Sequence, residues 1–248
     1  MDRDSRVAVV TGVSVGIGAA TARRLSTEGF DVVLGARRVD MVREVADEIG
    51  GRGLALDVRD PRSIESFAAE IEKVDVLVNN AGLAKGLSPL AEISDEELTT
   101  MWETNVAGLV RVTRALLPKI ERSTNGHIVN LGSIASFEVY QGGGGYTASK
   151  HAVTALSRTL RLELLGKPIR VTQIDPGLVE TEFSMVRFSG DADKAKSTYK
   201  GLTPLTADDI ADCIAWAVTR PPHVDIDEIV VRPVAQASVD HVDRSSRL

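Results

Sequence analysis

Short runs of β-branched and aliphatic residues alternate along the chain with longer stretches in which apolar positions recur at helical spacing. The short runs lack an alternation of polar and apolar residues, which is typical of strands covered on both faces of a parallel sheet. They predict strands at Val7–Thr11, Val32–Gly35, Gly53–Asp57, Val74–Asn79, His127–Ser133, Ile169–Asp175 and Glu228–Val231. The longer stretches predict helices at Ile17–Glu28, Val39–Ile49, Pro61–Glu72, Asp95–Ile120, Ala148–Leu165 and Ala207–Val218. This repeated alternation predicts an α/β fold with a doubly wound parallel sheet.

The chain is predicted to form one domain over residues 1–248, because no Pro-, Ser- or Gly-rich linker interrupts the alternation and no repeat of fixed period is present. Two stretches depart from the pattern. Residues 176–203 follow the sixth strand without a clean period, and a segment of that length inside a compact domain is typical of a functional lid. Residues 237–248 are polar and charged, and we expect a flexible tail that either frays or orders against a neighbouring subunit.

The composition is that of a globular protein, with 43% hydrophobic and 26% charged residues among 248. The 29 Lys and Arg residues are outnumbered by 35 Asp and Glu residues, and a net charge of −6 argues against binding to nucleic acid. The lone Cys213 excludes an internal disulfide and a cysteine-based metal site, and we expect no metal. No stretch of about 18 apolar residues would span a membrane, and the charged start of the chain does not resemble a signal sequence, so we expect a cytoplasmic protein.

A glycine-rich loop joins the first predicted strand to the first predicted helix. Gly12, Gly16 and Gly18 allow a tight turn and a close approach of the backbone to a pyrophosphate. The pyrophosphate would then lie at the N-terminus of the helix, and we expect Ser14 and Ile17 to bind it as well. The position of the loop between strand and helix favours this interpretation over a glycine turn that serves only packing.

The end of the second predicted strand indicates which dinucleotide is bound. A site for NAD carries Asp or Glu about twenty residues after the loop, where it hydrogen-bonds the ribose hydroxyls. This chain has Ala36 there, followed by Arg37 and Arg38. Alanine removes the repulsion toward a 2′-phosphate, and the guanidinium groups would bind that phosphate through charge-assisted hydrogen bonds. We therefore expect NADP(H) rather than NAD(H), the alternative being that both arginines are only solvated at a helix start.

Polar residues and glycine also follow the third and fourth predicted strands. Asp57 and Val58 lie at the end of the third strand, and the sequence NNAG at residues 79–82 lies at the end of the fourth. Asparagine and glycine tolerate left-handed conformations, so an ordinary turn is one interpretation. Ligands bind at the carboxyl ends of strands in open α/β sheets, however, so we expect contacts with the dinucleotide from Asp57, Val58, Asn79, Ala81 and Gly82.

A tyrosine and a lysine lie one helical turn apart at Tyr146 and Lys150, so both side chains would face the same side of a helix. A phenol has a pKa of about 10 and exchanges protons poorly at neutral pH, whereas an adjacent ammonium lowers its pKa by favouring the phenolate. Ser133, at the end of the fifth strand, would donate a hydrogen bond to a carbonyl oxygen of the substrate. Asn105 would hold a chain of water molecules that leads to the lysine. These four residues predict a catalytic site.

Taken together, these motifs resemble the short-chain dehydrogenase/reductase superfamily over nearly the whole length of the chain. The resemblance implies a single-domain Rossmann fold with a seven-stranded sheet, and commonly a homotetramer. The residues that carry it are Thr11-Gly12-x-x-x-Gly16-Ile17-Gly18, NNAG at 79–82, Asn105, Ser133, Tyr146-x-x-x-Lys150 and Pro176-Gly177.

The same resemblance implies a role for each matching side chain. Tyr146 would be the acid/base group, and Lys150 would lower its pKa and bind the ribose of the coenzyme. Ser133 would orient the carbonyl group, and Asn105 would complete a proton relay. Further contacts with the coenzyme, including its nicotinamide amide, would come from Pro176, Gly177 and Thr181.

The last third of the chain has a narrower resemblance, to NADP-dependent 3-hydroxy acid dehydrogenases that act on serine and allo-threonine. The stretches that carry it are Ile174–Phe183, Val186–Phe188, Ser189–Asp191 and Pro222–Val224. It implies hydride transfer between nicotinamide and a small secondary alcohol or carbonyl compound. By analogy Arg187 would bind a substrate carboxylate, the alternative being a surface arginine of the lid. Glu138 departs from the subgroup, which tends to carry an aromatic–Pro pair there, and a Glu138 that points into the pocket would repel a carboxylate.

Other activities fit parts of the same pattern. A β-ketoacyl-thioester reductase and a reductase of larger, more apolar carbonyl compounds would use the same four catalytic residues. A non-catalytic dinucleotide sensor would keep the fold, but it has no need of the pair Tyr146 and Lys150. A sugar-nucleotide epimerase would also use tyrosine and lysine, although its glycine loop is spaced differently and its C-terminal substrate domain is longer.

Overall fold

The structure is a computed structural model that describes residues 5–245. Seven strands form one sheet in the order β3-β2-β1-β4-β5-β6-β7, and every neighbouring pair is parallel. The strands are β1 Val7–Thr11, β2 Asp31–Ala36, β3 Arg52–Ala55, β4 Val76–Asn79, β5 Gly126–Leu131, β6 Ile169–Pro176 and β7 Glu228–Val231. The predicted fold class, a doubly wound Rossmann-type α/β sheet, is confirmed.

Helices cover both faces of this sheet. They are α1 Gly16–Thr27, α2 Val39–Ile49, α3 Pro61–Ala69, α4 Asp95–Trp102, α5 Gly108–Ile120, α6 Gly144–Glu163, α7 Phe183–Arg187, α8 Ala192–Ser197 and α9 Ala207–Val218. The helices α1, α2 and α9 pack on one face, and α3, α5 and the end of α6 pack on the other. Within residues 5–245, no helix is long and apolar enough to cross a membrane.

Consecutive residues of a central strand enter two separate cores. In β1, Ala8 and Val10 join the core beneath α1 and α9, whereas Val9 joins the core beneath α3 and α5. All three side chains are completely buried. Because both faces of the sheet are covered, every position of the strand takes an apolar residue, and this explains the lack of an alternating pattern in the sequence.

The predicted helix Asp95–Ile120 is interrupted in the structure. A π-helical turn at Glu103–Ala107 separates α4 from α5, and Asn105 lies within it. Such turns are rare and occur as single-turn insertions within α-helices, so a helical pattern in the sequence does not reveal this one.

The helix that carries Tyr146 also begins earlier than predicted, at Gly144 rather than Ala148. Its glycine-rich start packs closely on α4, since a Cβ atom on Gly145 would lie 2.4 Å from the Cε atom of Met101. The glycines therefore serve close packing at the point where a larger residue would separate the two helices.

The stretch 176–203 contains the short helices α7 and α8, which the sequence pattern does not predict. Tyr199 holds this stretch together. Its hydroxyl donates to the Val179 carbonyl at 2.9 Å and lies 2.7 Å from the Ser184 hydroxyl. Helices of this length are not stable alone, so they depend on such contacts.

Residues 237–245 contact their own chain, whereas the sequence predicts a flexible tail at 237–248. Arg244 donates to the Lys200 and Thr198 carbonyls at 2.8 and 3.3 Å. Its backbone also lies close to Gly201, where a Cβ atom would approach the Arg244 carbonyl oxygen. The remainder of the predicted tail, residues 246–248, lies outside the described residues.

Asp75 fixes the amino-terminal edge of the sheet, opposite the edge where the strands end. Its carboxylate accepts the Val7 N–H at 2.8 Å and the Ser123 hydroxyl at 2.5 Å, and Lys73 lies 3.2 Å from it. The residue is only 5% exposed, so water cannot readily replace the carboxylate as an acceptor.

We expect Asp75→Ala to lower the free energy of unfolding by about 2–3 kcal/mol, because it leaves two buried donors without an acceptor. Urea unfolding followed by circular dichroism measures this change. Asp47→Ala, on the exposed side of α2, is the matched control and should change the free energy by less than about 0.5 kcal/mol. Equal effects of the two substitutions would contradict the role assigned to Asp75.

Candidate active site

A cleft of about 1080 Å³ opens along the carboxyl ends of the strands, where the sheet order reverses between β1 and β4. The predicted site residues that line it are Gly12, Ser14, Gly16, Ile17, Arg37, Arg38, Asp57, Val58, Ala81, Gly82, Ser133, Tyr146, Lys150, Pro176, Gly177, Thr181 and Arg187. The predicted residues that are not part of the lining are Gly18, Asn79, Asn105 and Glu138.

The glycine loop forms one wall of the cleft and leaves no room for side chains. Gly12 and Gly16 have positive φ angles of 72° and 62°, which other residues rarely adopt. A Cβ atom on Gly12 would lie 2.8 Å from the Cα atom of Ala81, and one on Gly16 would lie 3.3 Å from the Thr181 side chain. Helix α1 starts without a side-chain cap or an acidic residue in its first turn, so its first backbone amides can bind an anion.

Thr11 and Asn80 tie the ends of β1 and β4 together beneath this loop. The Thr11 hydroxyl accepts the N–H groups of Asn80 and Ala81 at 3.1 and 3.0 Å. The Asn80 amide donates to the carbonyls of Thr11 and Gly12 at 2.8 and 3.0 Å. Gly18 packs against the same contact, since a Cβ atom there would lie 2.5 Å from the Asn80 amide nitrogen, and it therefore serves close packing instead of lining the cleft.

Three arginines line the end of the cleft formed by β2 and β3. Arg59, to which sequence reasoning gave no role, forms hydrogen bonds of 2.8 and 3.1 Å with Asp57 and holds the pKa of that carboxyl below its usual range. Arg38 forms an ion pair at 3.1 Å with Glu182 of the stretch 176–203. Arg37 is exposed, and no ion pair to it is present among residues 5–245, so it can bind an anionic ligand.

Ser133, Tyr146 and Lys150 converge deeper in the cleft. Tyr146 lies in the first turn of α6 and lines the cleft together with Ser133. Lys150 follows one turn later, as predicted; its Nζ atom donates to the Leu131 carbonyl at 2.7 Å and lies 5.8 Å from the centroid of the Tyr146 ring. Ser133 lies just beyond β5 rather than within it, where its hydroxyl accepts the Ala135 N–H at 3.1 Å and starts a 3-10 turn.

Burial determines the direction of both pKa shifts at this pair. It raises the pKa of Tyr146 to about 12 and lowers the pKa of Lys150 to about 8. The cation that opposes the rise at Tyr146 is Arg187, and not Lys150 as the sequence predicts. The expected lowering of the phenol pKa by Lys150 is therefore not found, because the charge that acts on the phenol comes from the stretch 176–203.

Arg187, the last residue of α7, reaches over the catalytic residues. Its Cζ atom lies 5.1 Å from the ring centroids of Tyr146 and Phe183 and 5.9 Å from that of Tyr140. Its Nη2 atom donates to the Tyr140 hydroxyl at 3.0 Å, and its buried Nε atom has no hydrogen-bond partner among the described residues. The Gly86 N–H donates to the Arg187 carbonyl at 3.0 Å, which ties α7 across the cleft. A guanidinium held in this way can bind a carboxylate.

Asn105 lies behind the wall of the cleft. Its side chain forms two hydrogen bonds of 2.8 Å with the backbone of Leu83 and donates to the Ser149 hydroxyl at 3.0 Å. A Cβ atom on Gly82 would lie 3.3 Å from the Asn105 Oδ1 atom and 3.6 Å from the Lys150 Nζ atom. Asn105 and Lys150 therefore approach the same glycine, and the predicted link between them through water stays a prediction.

Asn79 faces away from the cleft, although the sequence predicts a contact with the dinucleotide. It is 5% exposed, and its amide donates to Thr113 and Asn130 at 2.9 Å inside the protein. It is the last residue of β4, where successive side chains point to opposite faces of the sheet, so the next residue, Asn80, is the one that reaches the cleft.

Glu138 also lies away from the cleft. Its carboxylate accepts Arg232 Nη2 at 2.6 Å and the Val239 N–H at 2.8 Å. The predicted repulsion of a substrate carboxylate does not arise, because a cation and a backbone donor from the last part of the chain already neutralise this half-buried group.

Several residues that line the cleft were not predicted. They include Asn80, Tyr140, Phe183, Tyr199, Gln236 and Asp240. All three tyrosines of the chain line this cleft, but no motif in the sequence indicated Tyr140 or Tyr199. Gln236 and Asp240 come from the segment that folds back over the cleft, which no local pattern indicates. Among residues 5–245, no group of three or more His, Cys, Asp or Glu side chains could hold a metal ion.

Known proteins resemble the chain over almost its full length. An uncharacterized oxidoreductase of Mycobacterium tuberculosis is 57% identical over 233 residues, which cover 94% of this chain and 93% of that protein. An NADP-dependent 3-hydroxy acid dehydrogenase of Salmonella typhi is 44% identical over 93% of this chain and 96% of its own. The structure of serine dehydrogenase in its closed form, complexed with NADP+, superposes with a TM-score of 0.91 at 42% identity and covers 93% of this chain and 96% of its own.

The sequence model of the short chain dehydrogenase family matches residues 6–192. The motifs at the cleft, the order of the sheet and the identity to these relatives all agree with that match. The chain therefore belongs to the short chain dehydrogenase family.

Proposed function

We propose that the protein is an NADP(H)-dependent oxidoreductase that transfers a hydride between nicotinamide and a 3-hydroxy acid such as serine or allo-threonine. The observation that carries the proposal is the position of Arg187, whose guanidinium lies 5.1 Å from the Tyr146 ring centroid within the cleft. A cation there fits a substrate with a carboxylate beside the reacting alcohol. The 3-hydroxy acid and serine dehydrogenases named above, at 44% and 42% identity, support the same substrate class.

The residues around the glycine loop fit an NADP(H) molecule. The uncapped amides of α1 and the close approach of the backbone at Gly12 suit a pyrophosphate. Arg37 can bind a 2′-phosphate, with Arg38 beside it. Gly177 and Thr181 line the cleft and would contact the nicotinamide amide. When bound, the coenzyme supplies the hydride donor or acceptor.

Tyr146 is the acid/base in this proposal. Tyr146 and Ser133 both line the cleft, so both side chains can contact the reacting oxygen of a substrate. Ser133 donates a hydrogen bond to that oxygen, while Tyr146 accepts the alcohol proton in oxidation and returns it in reduction. Burial raises the pKa of Tyr146 to about 12 even beside Arg187, whose positive charge favours the phenolate that oxidation requires.

We also propose that residues 176–203 act as the substrate lid and that the chain forms a homotetramer. The contact between Arg187 and Gly86 across the cleft supports the lid. The exposure of large apolar side chains near the end of α6, with Leu162 at 77% and Leu165 at 85%, supports association with further subunits. The cytoplasmic location expected from the sequence stays a prediction.

We expect Tyr146→Phe to lower kcat by about 100- to 10,000-fold, because the phenyl ring cannot exchange the proton. Steady-state assays of NADPH absorbance measure turnover, and fluorescence titration should show that NADPH still binds. Tyr199→Phe removes a hydroxyl from the same cleft and is the matched control, with kcat expected within about tenfold of wild type. Near-normal turnover of Tyr146→Phe would reject the assignment.

We expect Arg37→Ala to weaken NADPH binding by about 10- to 100-fold and to leave NADH binding nearly unchanged, because it removes charge-assisted hydrogen bonds to the 2′-phosphate. Calorimetric titration gives both dissociation constants. Arg38→Ala should have the smaller effect on NADPH, since Arg38 is engaged with Glu182. A wild-type enzyme with the higher kcat/KM for NADH would overturn the choice of coenzyme.

We expect Arg187→Ala to raise KM for 3-hydroxy acids by about 100-fold and to change KM for neutral carbonyl compounds far less, because only the acids lose an ion pair. A panel of 3-hydroxy acids, β-keto thioesters and aldehydes, followed by NADPH absorbance, tests this difference. Arg187→Lys should recover part of the loss. An equal rise for both classes removes the proposed role, and a wild-type preference for thioesters replaces the proposed substrate.

A further inference from the structure

Asp175 lies directly beneath the catalytic residues, near the end of β6, and the reaction proposed above does not use it. It is completely buried, with 0% exposure. Its Oδ1 atom accepts the backbone N–H of Ser133 at 2.7 Å. The Gln173 amide donates to both carboxylate oxygens, at 2.8 and 3.0 Å. A carboxylate removed from water needs such donors, and one of them here is the backbone of the catalytic serine.

The backbone next to Ser133 is shaped to admit this carboxylate. A Cβ atom on Gly132 would lie 2.0 Å from the Asp175 Oδ1 atom, so only glycine fits there. The Ser136 hydroxyl also accepts the Ser133 N–H, at 3.0 Å. Ser133 is thus fixed through its N–H group, while the residue lines the cleft together with Tyr146.

The charged groups that face Asp175 come from α6 and β7. On α6, the negative charge of Asp175 raises the pKa of both Tyr146 and Lys150. On β7, the Glu228 carboxyl acts on Asp175, and Arg158 of α6 lies 3.9 Å from Glu228. Burial, and to a smaller extent the Glu228 carboxyl, raise the pKa of Asp175 to about 6. Because this value lies below 7, the carboxylate form predominates at neutral pH.

We propose that Asp175 is a positioning residue for Ser133 and that its negative charge, buried next to the Ser133 backbone, opposes the ionisation of Tyr146. The proposal rests on the function proposed above, in which Tyr146 is the acid/base. Arg187 on the cleft side favours the phenolate, and Asp175 beneath favours the phenol. Burial has the largest effect on the ionisation of Tyr146, and the two charges act in opposite directions on the pH at which the enzyme begins to oxidise its substrate.

The decisive variant is Asp175→Asn, which keeps an oxygen acceptor for the Ser133 N–H and removes the charge. In the plot of kcat/KM for alcohol oxidation against pH, the acidic limb should move to lower pH by at least about half a unit. The reason is that the Tyr146 pKa falls when the negative charge is removed. The kcat on the plateau should stay within about tenfold of wild type, because Ser133 is still held. Asp175→Ala, which also removes the acceptor, should have a lower plateau than Asp175→Asn.

Asp75→Asn is the matched control. Asp75 is also a buried carboxylate that accepts a backbone N–H and a serine hydroxyl, but it lies at the opposite edge of the sheet. Its substitution should lower stability without moving the acidic limb. The proposal is overturned if the folded Asp175→Asn variant has its acidic limb at the same pH as wild type. It is also overturned if Asp75→Asn moves the acidic limb as far as Asp175→Asn does.

A second measurement needs no turnover. The ultraviolet absorbance of tyrosinate, taken as the difference between each protein and its Tyr146→Phe counterpart, reports the ionisation of Tyr146. Its midpoint should lie at lower pH in Asp175→Asn than in wild type, and an unchanged midpoint would overturn the role of Asp175. If wild type oxidises no member of the substrate panel, the proposed function fails while this measurement still decides the question of Asp175.

A third variant tests the proposal without changing Asp175, in case the Asp175 variants do not fold. Glu228→Gln places an amide donor beside Asp175, so Asp175 should keep its charge to lower pH than in wild type. The inflection that ionisation of Asp175 contributes to the pH profile should then lie at lower pH than in wild type. An inflection that does not move in this variant would contradict the proposal.

Discussion

The contact between the ends of β1 and β4 is the constraint on which the site depends. Thr11 accepts two backbone N–H groups from the turn after β4, and Asn80 donates to two carbonyls at the end of β1. The two strand ends are thereby held so close that Gly12 cannot be replaced, because its Cβ atom would lie 2.8 Å from the Cα atom of Ala81. The glycine loop, the start of α1 and the floor of the cleft all take their positions from this contact.

The catalytic tyrosine lies between two sources of charge that the fold brings from distant parts of the chain. Arg187 approaches its ring from α7, while Asp175, near the end of β6, accepts the backbone N–H of Ser133. Burial alone would hold the proton on the phenol. Of the two charges, only that of Arg187, on α7, favours the phenolate. The position of the lid therefore matters for the chemistry as well as for substrate access.

The sheet and most of the cleft lining could be predicted because they follow from local pattern. Uniformly apolar runs predict the strands, and the four-residue spacing of Tyr146 and Lys150 predicts that both side chains lie on the same face of a helix. Two kinds of feature could not be predicted. The face to which a strand's last side chain points depends on where the strand ends, which is why Asn79 turned out buried and Asn80 reached the cleft. Contacts such as that of Glu138 with Arg232 depend on how the last part of the chain packs against the middle of the chain. The spacing of residues within a short stretch of sequence does not contain that information.

Arg187 has two proposed roles, and they compete. A substrate carboxylate bound to the guanidinium would offset the positive charge that acts on Tyr146. The remaining cation near the ring is Lys150, whose Nζ atom lies 5.8 Å from the centroid and whose pKa, lowered to about 8, leaves it mostly protonated at neutral pH. Lys150 does not offset the raised pKa of Tyr146, so acid substrates would leave the phenolate with less stabilisation than neutral alcohols, for which the charge of Arg187 acts in full. One cleft would therefore present Tyr146 with a different charge environment for each substrate class.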